Sequence, residues 1–308
     1  MTGARTHRAP ATGRDAETDA ETVRAAADMW VLAEAVHAVT YFTPEARAAH
    51  EQVGLRGFWR GYFATRAAPL GAVGPGVVTA VFAGFAWGMV TRALPQVWSV
   101  VAPEVALRAR VDGAVAALRA HAGPLPDPVD IGDAVALLRR VVDALELAGR
   151  PLGAANAVLD WPDEPLAALW HGTTVVREYR GDGHVAVLTA EGLDGCAAHV
   201  FRAARDGSRD LLQPNRGFTD DDWEHAAATL RGRGLLDAAG ALTTEGHRLH
   251  EHVAARTDAL AATGWQVLDD EGTGRLRALL GLLASRLAGG AVPYPNPVGA
   301  PAPPVGPG

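Results

Sequence analysis

The chain has a single cysteine, Cys196, and so cannot form an internal disulfide. Nothing in that usage points to secretion, and a reducing compartment is the default. Cys196 falls in a segment that reads as helix, where a small buried hydrophobe is the ordinary role of a lone thiol. Residues 1–20 lack the apolar run of a signal peptide and read as a disordered tail. Long apolar spans are also missing. Residues 67–91 carry no charge, but Pro69, Gly71, Gly74, Pro75 and Gly76 interrupt their first part. About fifteen residues of helix remain, which suits a buried core helix better than a membrane crossing. No nucleophile elbow, Walker A loop or paired CxxC is present, and the sequence names no cofactor. A net charge of −7 weakens the case for a nucleic-acid partner without excluding it.

What is present is an ordinary globular composition, 48% hydrophobic and 20% charged, enough for a sizeable core. A soluble, cytoplasmic, mainly α-helical protein is expected, with no membrane partner. The Pro- and Gly-rich stretch AGPLPDP at 122–128 is the best linker. It divides an N-terminal helical domain, 21–122, from a C-terminal helical domain, 129–288. A Pro-rich tail, 289–308, should be disordered, with seven prolines in its last eighteen residues.

Helix signals recur along the chain. A helix is expected over 22–42, and Thr43-Pro44-Glu45 restarts one with a cap, a proline at the first position and an acid in the first turn. An aromatic helix follows at 55–65, carrying Phe58, Trp59, Tyr62 and Phe63. A core helix is expected at 77–94, a Pro-started one at 103–121, one capped by Asp130 to about 148, and another from Pro151. Farther on, 193–205 reads as helix. Thr219 caps a helix to Leu230 with Asp220, Asp221 and Asp222 in its first turn. Short extended pieces at 235–236 and 241–243 flank a tight turn, then come helices at 244–260 and 270–287. Helix, small hairpin, long helix is the order of a winged helix, placed at about 193–262.

The densest polar chemistry lies at 170–188, WHGTTVVREYRGDGHVAVL. This reads as two short helices meeting at Gly181-Asp182-Gly183, with Asp182 capping the second and His184 in its first turn. His171, Thr174 and Glu178 share a face of the first helix. In the N-terminal half, Glu34, His37 and Tyr41 form another polar face. The candidate ligand site is the meeting of these faces: Glu34, His37 and Tyr41 with His171, Glu178, Asp182 and His184, and Arg177 or Arg180 at the edge to pair with an acid or meet an anionic ligand. A buried polar hinge without a ligand is the plainer alternative. Glu34-x-x-His37 also has the spacing of carboxylate-bundle metal sites, but without a second copy it is more simply a buried histidine beside a carboxylate. His247, His250 and His252 sit among Glu245, Arg248 and Glu251, and read as a solvated face.

The motifs EAVHAVTYFTPEARAA, GFWRGYFATRAAPLG and REYRGDGHVA, with the block RGLLDAAGALTTEGHRL, carry a resemblance. The chain from about Trp30 to Leu287 resembles the SalK-like helix-turn-helix family of actinobacteria, and 219–260 is similar to the C-terminal part of a MarR-type winged helix. The resemblance implies a transcription-regulator fold, and brings no catalytic residues with it. It also implies a homodimer through the last two helices, where Leu276, Leu279, Leu280, Leu283 and Leu287 make an apolar stripe; packing within the chain is the alternative use of that stripe. For DNA the signals conflict. The fold favours it, while four acids on the helix before the hairpin and a wing without Arg or Lys oppose it. Two functions stay open: a regulator-type protein with a small-molecule pocket, or an enzyme, metal-assisted or not, built on the same scaffold.

Overall fold

A computed structural model describes residues 20–304. The expected tail 1–20 thus lies almost wholly outside the described residues. The architecture is all helical. Among the described residues, β pairing is limited to isolated bridges, of which Leu236 with Leu242 closes the small hairpin. No helix there is long and apolar enough to cross a membrane.

Local chemistry sets most of the boundaries. Proline occupies the first turn of Pro44–Gln52, Pro103–His121, Pro128–Asp143, Pro151–Ala157 and Pro165–Ala190. There its missing N–H costs nothing and its φ is already helical. Thr43, Asp194, Thr243 and Asp269 each cap a following helix with a side-chain oxygen. Thr219 and Asp222 form a reciprocal capping box at the start of Asp220–Gly232. The cap of Pro128–Asp143 is Asp127 rather than the expected Asp130, because Asp127 immediately precedes the proline and its carboxylate accepts from Val129 N at 2.8 Å.

Helix boundaries differ from expectation at three further places. The first concerns 170–188, which is one uninterrupted helix, Pro165–Ala190, of 26 residues. None of its glycines makes a turn, and Gly172 and Gly183, with Gly153 on the neighbouring helix, allow close packing. A Cβ on Gly183 would collide with the Arg150 guanidinium, and one on Gly153 would come within 2.8 Å of Tyr179 Cα. Asp182 therefore caps nothing on its own helix; it accepts from Gly153 N at 2.7 Å. Second, the expected core helix at 77–94 is broken into Pro75–Phe82 and Trp87–Thr91. Ala83 sits between them at φ +54, the one non-glycine residue with positive φ among the described residues. Gly84 N donates to Phe82 O at 2.6 Å, which closes a strained three-residue γ-turn. Third, an additional helix, Arg209–Arg216, precedes Gly217 in the left-handed conformation. Pro214 and a run of polar residues hide it in the sequence.

Pro165–Ala190 is the axis of the molecule. Ala20–His37, Pro103–His121, Pro128–Asp143, Pro151–Ala157 and Thr244–Ala262 all pack on it. The largest buried cluster joins its first half to the first helix, Pro128–Asp143 and the last helix, Asp270–Leu287. A second cluster is the aromatic unit of Phe63, Phe82, Phe85 and their neighbours. A third holds the helices of the winged-helix segment, and Val187 of the axis helix enters it. The leucine stripe of the last helix is spent within the chain. Leu276, Leu280, Leu283 and Leu287 are fully buried there, and the helix packs on Ala20–His37 and Pro128–Asp143. A dimer would have to use another surface. Order also extends farther into the Pro-rich segment than its composition indicates. Val292 and Asn296 are buried, and Val292 N donates to Leu287 O at 2.9 Å.

Backbone strain of the Ala83 kind costs about 1–3 kcal/mol. Replacing Ala83 with glycine removes it at the expense of roughly 0.4–1 kcal/mol of unfolded-chain freedom. Ala83→Gly is expected to raise unfolding stability by about 1 kcal/mol, read from the urea midpoint.

Candidate functional site

A cavity of about 390 Å³ opens where the three clusters meet, a size within the range of small-molecule pockets. One wall is aromatic: Tyr41, Phe58, Trp59, Tyr62, Phe82 and Phe85. The axis helix contributes Arg177, Gly181, His184, Val185, Leu188 and Thr189, one stripe at helical spacing. The winged-helix segment supplies His199, Arg202, Asn215, Arg216 and His250, and the Pro-rich segment adds Pro297 and Val298. The loop at 83–86 seams these parts together. His199 Nε2 donates to Gly84 O at 3.0 Å, and Ala86 N donates to Arg216 O at 2.9 Å.

Behind the aromatic wall lies a buried ion network. Arg66 grips Glu178 with two bonds, Nε to Oε1 at 2.9 Å and Nη2 to Oε2 at 3.0 Å. Arg177 bridges the two acids, with Nε to Glu34 Oε2 at 3.1 Å and Nη1 at 2.9 Å from Glu178 Oε2. Burial alone would raise the Glu178 carboxyl; Arg177 and Arg66 overcome this and hold it well below the usual carboxylate range. Thr174 Oγ1 donates to Trp170 O at 2.9 Å, so it accepts from His37 Nδ1, also at 2.9 Å. That fixes the tautomer, and Tyr41 OH then donates to His37 Nε2 at 2.9 Å. Burial first, and the Arg177 charge second, hold the His37 pKa well down, so the ring is neutral.

The expected site residues therefore divide. Glu34, His37, Tyr41, Arg177 and Glu178 are brought together in this network, and of these Tyr41 and Arg177 reach the cavity. His184 also lines the cavity, its Nδ1 3.1 Å from Thr257 Oγ1. His171 lies elsewhere, buried edge-on against Trp161. Arg180 pairs with Asp258 at 2.7 Å and covers the Trp30 ring. Asp182 faces Gly153. Sequence reasoning missed Arg66 and Arg216. Arg66 carries a signal in retrospect, as the charge on an aromatic helix at the edge of the uncharged run. Arg216, between Pro214 and Gly217, carries none. Among the described residues, no group of three or more His, Cys, Asp or Glu side chains is placed to hold a metal ion. Burial, with Asp194 and Asp222 beside it, pushes the Cys196 thiol up to about 12, which keeps it protonated and poorly nucleophilic.

The winged-helix segment has its own geometry. Arg209–Arg216, a turn through Gly217, and Asp220–Gly232 make two helices joined by a short turn. The hairpin follows, with Asp237 N to Ala241 O at 2.9 Å and Thr243 N to Leu235 O at 3.1 Å. Over residues 26–293 the chain matches the description of a helix-turn-helix family. The chain belongs to that helix-turn-helix family. No curated protein and no solved structure matches it. The second of the two helices joined at Gly217 is acidic. Asp220, Asp221, Asp222 and Glu224 are all exposed on it, and Arg209 is drawn onto Asp220 at 3.0 Å and Glu224 at 3.2 Å. Arg233, at its end, donates to the Glu191 and Gly192 carbonyls at 2.8 and 2.9 Å.

Two variants test the buried charges. Glu178→Gln deprives Arg66 of the carboxylate it grips and leaves Arg177 with Glu34 alone, and is expected to cost about 3–5 kcal/mol of unfolding stability in urea. Asp182 behaves oppositely. Burial raises its pKa from 3.8 to about 7, so the folded chain keeps a proton that the unfolded chain releases. That stabilisation is complete below about pH 4 and is lost as pH rises through about 7. Asp182→Asn is expected to be more stable than the parent at pH 8, by on the order of 1–3 kcal/mol, with the gap closing by pH 5 in paired thermal melts.

Proposed function

We propose that the chain is a helix-turn-helix protein of transcription-regulator type whose primary activity is to hold a small molecule in the central cavity. One observation carries this reading: the cavity is walled jointly by the aromatic unit, the axis helix and the helix-turn-helix unit. An occupant there touches the fold's recognition module and its core at once. The polar network beside it supports binding over acid–base chemistry. Each of its carboxylates is paired with an arginine, Glu34 through Oε2 alone, and His37 has both ring nitrogens engaged. Tyr41, Arg177 and His184 are the expected site residues that would meet the ligand. Glu34, His37 and Glu178 would position them.

DNA contact is the weaker part of the regulator reading. Affinity for a duplex comes chiefly from neutralising phosphates. Here the helix that would enter the groove begins with three aspartates, and the nearby Arg209 is held by two acids. A winged helix can serve purposes other than reading DNA. A gel shift against the gene's own upstream region at low salt, paired with native mass spectrometry of protein from its natural cells, tests both parts. We expect a co-purifying small molecule, and no DNA complex that survives physiological salt. A complex persisting at about 150 mM salt would overturn the judgement on DNA. A ligand-free protein that no small molecule stabilises would overturn the judgement on the cavity.

A further inference from the structure

The cavity wall is aromatic, and its arginines are not equivalent. Arg66 and Arg177 are matched by Glu178 and Glu34, and Arg202 pairs with Asp206 at 3.2 Å. Arg216 has no such partner: among the described residues no carboxylate pairs with it. Its guanidinium lies 4.6 Å from the centre of the Phe85 ring. Nη2 donates to Pro297 O at 2.5 Å, and Nε is buried without a hydrogen-bond partner. Burial disfavours its charge most, Arg66 and Arg202 add to that, and the Tyr62 hydroxyl acts the other way. The acid among the cavity residues, Asp194, is engaged in capping, accepting from Ala197 N at 2.8 Å.

A guanidinium held against an aromatic ring with only neutral acceptors is an undercompensated cation. An anionic group supplies what a backbone carbonyl cannot, because bonds between ionised partners are about twice as strong as neutral ones and a planar guanidinium takes a carboxylate with two of them. Phe85 beside it, with Phe58, Trp59 and Phe82 in the same cavity wall, offers ring faces and edges to a flat apolar body.

We propose that the cavity takes a small molecule with a flat, apolar ring body and one anionic group, the anion held by Arg216 in place of the Pro297 carbonyl and the body lying along the Phe85 side of the aromatic wall. This rests on the reading of the cavity as a ligand site, and names its ligand class and its anchor.

Two fluorescent probes separate the class from the site. 1-Anilinonaphthalene-8-sulfonate and N-phenyl-1-naphthylamine share one ring body, and only the first carries a sulfonate. Titrated into the full-length protein, both are expected to bind once and to compete, with the anionic probe at least about tenfold tighter. Arg216→Gln is expected to abolish that preference while leaving the neutral probe's affinity within about twofold. Equal affinities in the parent, or a preference that survives Arg216→Gln in protein with parental circular dichroism, would overturn the anion assignment and leave the cavity standing. Failure of both probes to bind would overturn the cavity reading and this one with it. If Arg216→Gln does not fold, salt decides. Raising it from about 50 to 500 mM should weaken the anionic probe alone, and equal responses would count against Arg216.

Discussion

Glu178 is the point on which the structure turns. It is buried, it belongs to the axis helix, and two arginines from different helices close on it. An ion stripped of water costs several kcal/mol unless its partners are placed well. Hydrophobic burial, by contrast, tolerates small slides between helices, since it is close to non-directional. The two bonds from Arg66, the bridge from Arg177 to Glu34, and the chain Trp170–Thr174–His37–Tyr41 therefore act as register marks. They fix Ala20–His37 and Phe58–Ala67 against Pro165–Ala190, and by doing so shape one side of the cavity.

How much of this the sequence discloses depends on distance along the chain. Several boundaries set within four residues were legible. Thr43 before Pro44 and Thr219 before three aspartates were read as caps, and the helix starts at 244 and 270 were placed as observed, because a cap needs only its own turn; Asp130, by contrast, was read as a cap where Asp127 is one. The pairing of Arg177 with Glu34 and Glu178 was among the choices left open, since charge and polarity on apolar helices limit the partners available. What could not be read was the rest of the chain's demand on a local signal. Gly181-Asp182-Gly183 looks like a turn, yet Gly183 leaves the room that Arg150 fills, Asp182 accepts from Gly153 N, and the helix runs through. The apolar stretch at 77–94 looks like one helix, yet it bends at Ala83 so that the 83–86 loop can meet His199 and Arg216. Arg66 lies 112 residues from Glu178, and no spacing rule reaches that far.

The strained turn and the acidic helix make the same point about division of labour. Ala83 holds a conformation that a relaxed chain avoids, at the seam between the aromatic unit and the helix-turn-helix unit. Such strain persists only where surrounding contacts over-determine it. The acidic second helix, meanwhile, keeps its fold through a capping box and dipole-matched aspartates. Those are the features that make it a stable helix and a poor partner for phosphate. Helix stability and groove recognition ask for opposite charges at this N-terminus, and the residues present meet the first demand.

The length of the axis helix carries a mechanical consequence. Its 26 residues make a rod of about 39 Å. Glu178 ties it near the middle, and Asp182, Gly183 and His184 tie the following turn to Gly153, Arg150 and Thr257. The cavity borders this second half, and Val187 near its end is embedded in the third cluster. One unbroken rod thus joins the buried ion network to that cluster. Protein interiors are as dense as organic crystals and pass strain on instead of absorbing it by compression, so the two ends of the rod share one register.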